Sequence, residues 1–95
     1  MLDKKFIWDE NKHVSNKHKH GISFEEAGSV FDDEYAVYFD DETHSNDEDR
    51  FIIIGISKFD RLLLVCHCYR ENDTVIRIIS ARKATKKESQ QYGGV

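Results

Sequence analysis

The chain has no proline, only two cysteines, and a single methionine and tryptophan among its 95 residues. With no proline, no internal repeat and no low-complexity tract, nothing in it reads as a rigid linker or an extended array. Cys66 and Cys68 are one residue apart, which puts both on one face of a strand, where geometry does not favour bridging them. A solitary Cys-x-Cys is also a poor metal signature, so both are expected to be reduced, buried thiols. No apolar run approaches the roughly 18 residues needed to cross a bilayer. Met1-Leu2-Asp3-Lys4-Lys5 leads into no signal-type apolar segment, so a cytoplasmic protein without membrane contact is expected.

What is present suits an ordinary globular chain: 39% hydrophobic and 34% charged residues. That supports one core, hence one domain over residues 1–95. The net charge of −4 conceals a division, because residues 1–49 carry 5 Lys and Arg against 14 Asp and Glu, whereas residues 50–95 carry 9 against 4. Local potential rather than net charge governs encounter with a polyanion. The second half can therefore present a basic face.

Phe6-Ile7-Trp8 reads as a short strand or edge segment. Asp9 is placed to cap a helix running to about Lys19, which His20-Gly21 closes. Ser23-x-x-Glu26 predicts a capping box opening a second helix, with Phe24, Ala27, Val30 and Phe31 as its buried stripe. Residues 35–39 form a strand, and the acidic stretch Asp40 to Asp49 a surface loop. Arg50 to Ser57, Arg61 to Arg70 and Thr74 to Ser80 then follow as three antiparallel strands joined by short turns. Thr85-x-x-Glu88 predicts a last helix from Thr85 to Tyr92, ended by Gly93-Gly94. Two helices, an antiparallel meander and a C-terminal helix make the fold α+β.

The stretch Ile76-Arg77-Ile78-Ile79-Ser80-Ala81-Arg82-Lys83-Ala84-Thr85 sets cations into a strand and the turn after it. An unpaired cation inside a strand costs several kcal/mol. Arg77 must therefore be paired or stand in a wet cleft, and a cleft visited by phosphate is the reading favoured here. Together with Phe6-x-Trp8-Asp9, Asn16-x-x-Lys19-His20-Gly21-Ile22-Ser23-Phe24-Glu25-Glu26-Ala27, Asp49-Arg50 and Ile54-Gly55, this run resembles the BrnT toxins of type II toxin–antitoxin modules over about residues 6 to 92. The resemblance implies a RelE-like fold, metal-independent ribonuclease activity that arrests translation, no cofactor, and neutralisation by a BrnA antitoxin. A hetero-oligomer with that antitoxin is implied too, with promoter DNA reached only through the antitoxin. Two positions depart from the family pattern: Lys12-His13-Val14-Ser15 replaces small apolar residues, and Ser89 stands where an Arg commonly follows the glutamate.

Metal-free RNA cleavage needs a base for the 2′-hydroxyl, cations for the charged phosphorane and an acid for the leaving oxygen. Arg50, Arg77 and Arg82 are candidates for the cationic role, since a guanidinium bonds phosphate in two parallel contacts and never loses its charge. His67 is a candidate acid or base. Alternation puts Val65, His67 and Tyr69 on one face and Val75, Arg77 and Ile79 on one face, so His67 and Arg77 share a surface if those faces match. Lys19, His20, Arg70, Lys83, Lys86 and Tyr92 are candidate RNA contacts. Structural alternatives accompany these: Arg77 paired across the sheet, His67 a core histidine, Lys83 and Lys86 on a solvated helix face, and Tyr92 a packing residue. No metal site is expected from Lys17-His18-Lys19-His20, whose spacing does not suit zinc. A toxin fold that binds antitoxin without catalysis is the competing functional reading.

Overall fold

The computed structural model describes residues 4–41 and 49–94. In chain order these form β1 (Lys5–Ile7), α1 (Glu10–His20), α2 (Phe24–Ser29), a 3₁₀ turn (Val30–Asp32), β2 (Val37–Asp40), β3 (Phe51–Ile56), β4 (Leu62–Arg70), β5 (Val75–Lys83), α3 (Lys86–Ser89) and a closing 3₁₀ turn (Tyr92–Gly94). The five strands make one sheet in the order β1-β5-β4-β3-β2. All neighbours are antiparallel except β1, which runs parallel to β5. The expected α+β meander is present, widened by one strand at each edge.

Local chemistry explains the helix ends. Asp9 accepts the Lys12 N–H at 3.1 Å, and Gly21, at φ 73°, donates its N–H to the Lys17 carbonyl. That left-handed residue turns the chain directly into α2. Ser23 caps α2 by accepting the Glu26 N–H at 3.0 Å, but Glu26 does not return the bond. Its buried carboxylate instead takes the Arg61 guanidinium and the Ser57 hydroxyl, so this capping box is only half formed. The box at Thr85 and Glu88 is complete.

Ile22, Phe24, Ala27, Val30 and Phe31 pack on Ile53, Leu63, Val65, Ile76, Ile78 and Ala81 to form the core. Full burial of each large side chain is worth about 1.5–3 kcal/mol. That sum fixes which sheet face meets the helices. Gly55 allows the 3₁₀ turn close approach, because a Cβ there would lie 3.1 Å from Ala36 Cβ and 3.2 Å from the Val30 carbonyl oxygen. At the far edge, Asn16 works as a substitute strand: its amide donates to the Ala81 carbonyl at 2.8 Å and accepts the Ala81 N–H at 3.1 Å. It thereby fastens α1 to β5 beyond the end of β1.

Three elements differ from the sequence reading by two residues or more at one end. β2 begins at Val37 rather than Tyr35. β5 continues to Lys83, placing Arg82 and Lys83 inside the strand rather than after it. The last helix spans only Lys86–Ser89. So short a helix draws little stability from its own backbone, and here Arg82 and Asp33 hold its side chains and the turn beyond it. Asp40 lies in β2 and Asp41 is buried, so neither belongs to a surface loop; residues 42–48 lie outside the described residues.

Candidate active site

The sheet has two unlike faces. One carries Leu63, Val65 and His67 toward the helices, and the other carries Leu64, Cys66 and Cys68 away from them. On this second face β5 sets Arg77 opposite Cys68, and Arg70 donates from Nη1 to Cys68 Sγ at 3.1 Å. Cys66, two residues earlier, donates to Asp41 Oδ2 at 3.4 Å. Burial and the Asp41 carboxylate push the Cys66 thiol up to about 12, against the pull of the neighbouring Arg50 charge. Such a thiol is a poor nucleophile. Its value as a marker is positional: Arg50, Arg70 and Arg77, all half-buried, gather around the two cysteines at one end of the sheet.

Arg82 does not join them. It shares their face through its register with Leu64, yet stands four residues away along β4, roughly 13 Å at the usual strand rise. Its guanidinium meets the Glu88 carboxylate in two parallel bonds, 2.8 and 2.9 Å long. Bonding to Arg82, joined by the Thr85 N–H, outweighs burial and holds the Glu88 carboxyl down at about 2. Arg82 is thus engaged in the C-terminal turn.

His67 falls on the helix side, fully enclosed. The rings of Phe31, Tyr69, Phe51 and Tyr38 surround it with centroids 4.8, 5.4, 6.2 and 6.4 Å away. Nδ1 lies 3.4 Å from the Val65 carbonyl oxygen, and Nε2 has no hydrogen-bond partner among the described residues. Burial pushes the imidazole down to about 4. It is a core histidine, and the surface that it would share with Arg77 if the two strand faces matched does not form. The reason is a bulge: Cys66 pairs with Ser80 but His67 with Ile78, so Ile79 has no opposite residue and every position before it changes face.

The remaining candidates are scattered. Lys19 and His20 are exposed in the last turn of α1, where positive charge suits the helix dipole. Lys83 and Lys86 are exposed around the start of α3. The Tyr92 hydroxyl donates to Asp33 Oδ2 at 2.5 Å, and burial together with that carboxylate pushes the phenol up to about 12. Tyr92 is therefore a tether. The sequence reading passed over a cleft of about 540 Å³ beside Arg70, lined also by Asp49, Phe51, Tyr69 and Asp73. An aromatic residue directly before an arginine was the available signal.

A small α+β domain presenting arginines on the sheet face away from its helices is the class that fold and site define. Residues 8–88 match the family model described as the ribonuclease toxin BrnT of type II toxin–antitoxin systems. Among solved structures, the crystal structure of the Brucella abortus ribonuclease toxin BrnT is similar at 26% identity and a TM-score of 0.66, covering 88% of this chain and 100% of that one. No curated protein sequence matches. The chain belongs to the BrnT family of ribonuclease toxins, and membership in a type II system implies a protein antitoxin as partner. Among the described residues, no helix is long and apolar enough to cross a membrane.

Proposed function

We propose that this chain is a metal-independent endoribonuclease that acts in the cytoplasm, cleaves RNA through attack by the 2′-hydroxyl, inhibits translation and is neutralised by a BrnA-like antitoxin. The observation that carries this reading is the gathering of Arg50, Arg70 and Arg77 on one face of the sheet. Three half-buried guanidinium groups are suited to the charge that develops on a pentacoordinate phosphorane, and partial burial strengthens each contact. Lys19, His20, Lys83 and Lys86, all exposed, would extend backbone contacts beyond the cleaved bond. The antitoxin would cover the arginine face in a hetero-oligomer and carry any contact with promoter DNA.

Two observations favour the competing reading, a toxin fold that binds antitoxin without catalysis. The histidine expected to move protons is enclosed on the other face, and Arg82 is committed to Glu88. Induced expression of the wild-type chain and of Arg77→Ala separates the two, with growth, total RNA integrity and protein synthesis followed and mutant folding checked by circular dichroism. Growth arrest with RNA loss in the wild type alone supports the ribonuclease; two harmless proteins support the binding module. Cleavage by the purified chain in excess chelator tests metal independence.

A further inference from the structure

The cleft beside Arg70 has walls of three chemical kinds. Phe51 and Tyr69 supply rings, with centroids 5.6 Å apart at an interplanar angle of 57°. Asp49 and Asp73 supply carboxylates, and Arg70 a guanidinium. Arg70 is held in place by bonds from Nη1 to Cys68 Sγ and to the Tyr69 carbonyl oxygen. Tyr69 and Asp73 also border a second cleft of about 300 Å³. The turn that presents Asp73 is built from three successive left-handed residues, Glu71, Asn72 and Asp73, at φ 55°, 57° and 69°. Non-glycine residues seldom adopt that conformation singly, and a run of three must be held by its surroundings.

Aromatic faces beside an arginine are the surfaces on which unpaired RNA bases stack, and side chains at the rim then read the base edges. The polar groups here select among the bases. A carboxylate only accepts hydrogen bonds, and guanine alone offers two adjacent donors on its Watson–Crick edge, N1–H and the N2 amino group. Guanine also carries two adjacent acceptors, O6 and N7, which match a guanidinium. Adenine and cytosine set an acceptor beside their amino donor, and uracil flanks its single N–H with carbonyls. We infer that the cleft formed by Phe51, Tyr69, Arg70, Asp73 and Asp49 is a binding subsite for an unpaired guanine of the RNA. The subsite rests on the ribonuclease reading for its purpose: it would fix which nucleotide lies next to the arginine face.

The test is direct binding, measured by calorimetry on the purified chain. The probes are four fully 2′-O-methylated RNA pentamers that differ only in the central base, a fifth with central inosine, and free GMP. Methylation blocks cleavage, so binding is read apart from chemistry. The central-guanine pentamer should bind about tenfold or more tighter than the adenine, cytosine and uracil pentamers. Inosine, which lacks the N2 amino group, should lose most of that advantage, and GMP should bind more weakly than the guanine pentamer. Asp73→Asn should abolish the preference, since asparagine tolerates the left-handed backbone at this position and puts a donor where guanine needs an acceptor. Tyr69→Leu should weaken all pentamers, its folding checked by circular dichroism. Equal affinity for the four pentamers overturns the subsite, as does preference for GMP over the guanine pentamer or preference retained by Asp73→Asn. Guanine-selective binding by a chain that cleaves no RNA would sink the ribonuclease reading and leave the subsite standing; unselective binding with cleavage would do the reverse.

Discussion

His67 and Arg77 stand on neighbouring strands but on opposite faces of the sheet, because Ile79 is an extra residue in β5. Without the bulge, Arg77 would lie opposite Tyr69 and share the helix side with His67. With it, the half-buried arginine lies opposite Cys68, while the imidazole remains among aromatic rings. One inserted residue thus separates the charged face from the core and spares a guanidinium the cost of burial beneath the helices.

That placement predicts a pH dependence. The imidazole has a folded-state pKa pushed down to about 4, below its unfolded value. Its contribution is therefore complete above the unfolded value near 6.5 and is lost as pH falls through that value toward 4. From pH 7 to pH 5 the loss should be about 2 kcal/mol, in a window above the range where Glu26, Asp33 and Glu88, all shifted downward, give up their own contributions. Urea unfolding of the wild type and His67→Phe at the two pH values checks this. The variant should lose much less stability between them and should still arrest growth, whereas a folded but harmless His67→Phe would return the histidine to the catalytic set.

Arg82 and Glu88 should act as a structural pair. Both side chains are partly exposed, which limits their coupling to about 0.5–1 kcal/mol in a double-mutant cycle. Arg82→Ala and Glu88→Ala should each destabilise the chain by about 1 kcal/mol, and the double variant by less than the sum. The cycle is read by thermal unfolding. A loss of RNA binding in Arg82→Ala that Glu88→Ala does not reproduce would instead assign the arginine to the substrate.

Asn16 gives a sharper stability prediction. Its buried carboxamide satisfies the Ala81 N–H and carbonyl and also donates to the Ile22 carbonyl at 3.2 Å. Asn16→Ala leaves those backbone groups without this partner and should cost about 2–4 kcal/mol. Asn16→Asp keeps the acceptor for the Ala81 N–H but turns a carboxylate oxygen toward two carbonyls, so it should be no better tolerated. Melting temperatures of the two variants, both well below the wild type, would verify the staple; a shift of only a degree or two would discount it.

Much of this molecule could be read from local patterns, because its helix ends depend on neighbours in sequence. Asp9, Gly21, Ser23 and Thr85 stand where the capping chemistry requires, and the stripe of Phe24, Ala27, Val30 and Phe31 is buried throughout. The edge strands were harder. β1 is three residues long and takes its parallel partner from the other end of the chain. The spacing Ser23-x-x-Glu26 predicts a local box, but a guanidinium 35 residues away claims the Glu26 carboxylate. The site suffered most, because strand alternation assigns faces only as far as the next bulge, and nothing in Ile78-Ile79-Ser80 announces one.

The arginine face should reveal itself through salt dependence. Each phosphate neutralised on a single strand contributes about 0.7 to the slope of log affinity against log salt concentration. Arg50→Ala, Arg70→Ala and Arg77→Ala should each lower the slope for a non-cleavable RNA by about that amount while weakening binding at every salt concentration. Arg82→Ala should change the slope less, because Arg82 stands roughly 13 Å from that group along the sheet. Fluorescence anisotropy with a labelled 2′-O-methyl oligomer at several salt concentrations gives the four slopes. If Arg82→Ala lowers the slope as much as the other three, the ion pair opens on RNA and the basic face extends the full length of β5. If none of the four variants changes it, phosphate is held elsewhere, and the exposed lysines around the start of α3 become the next residues to replace.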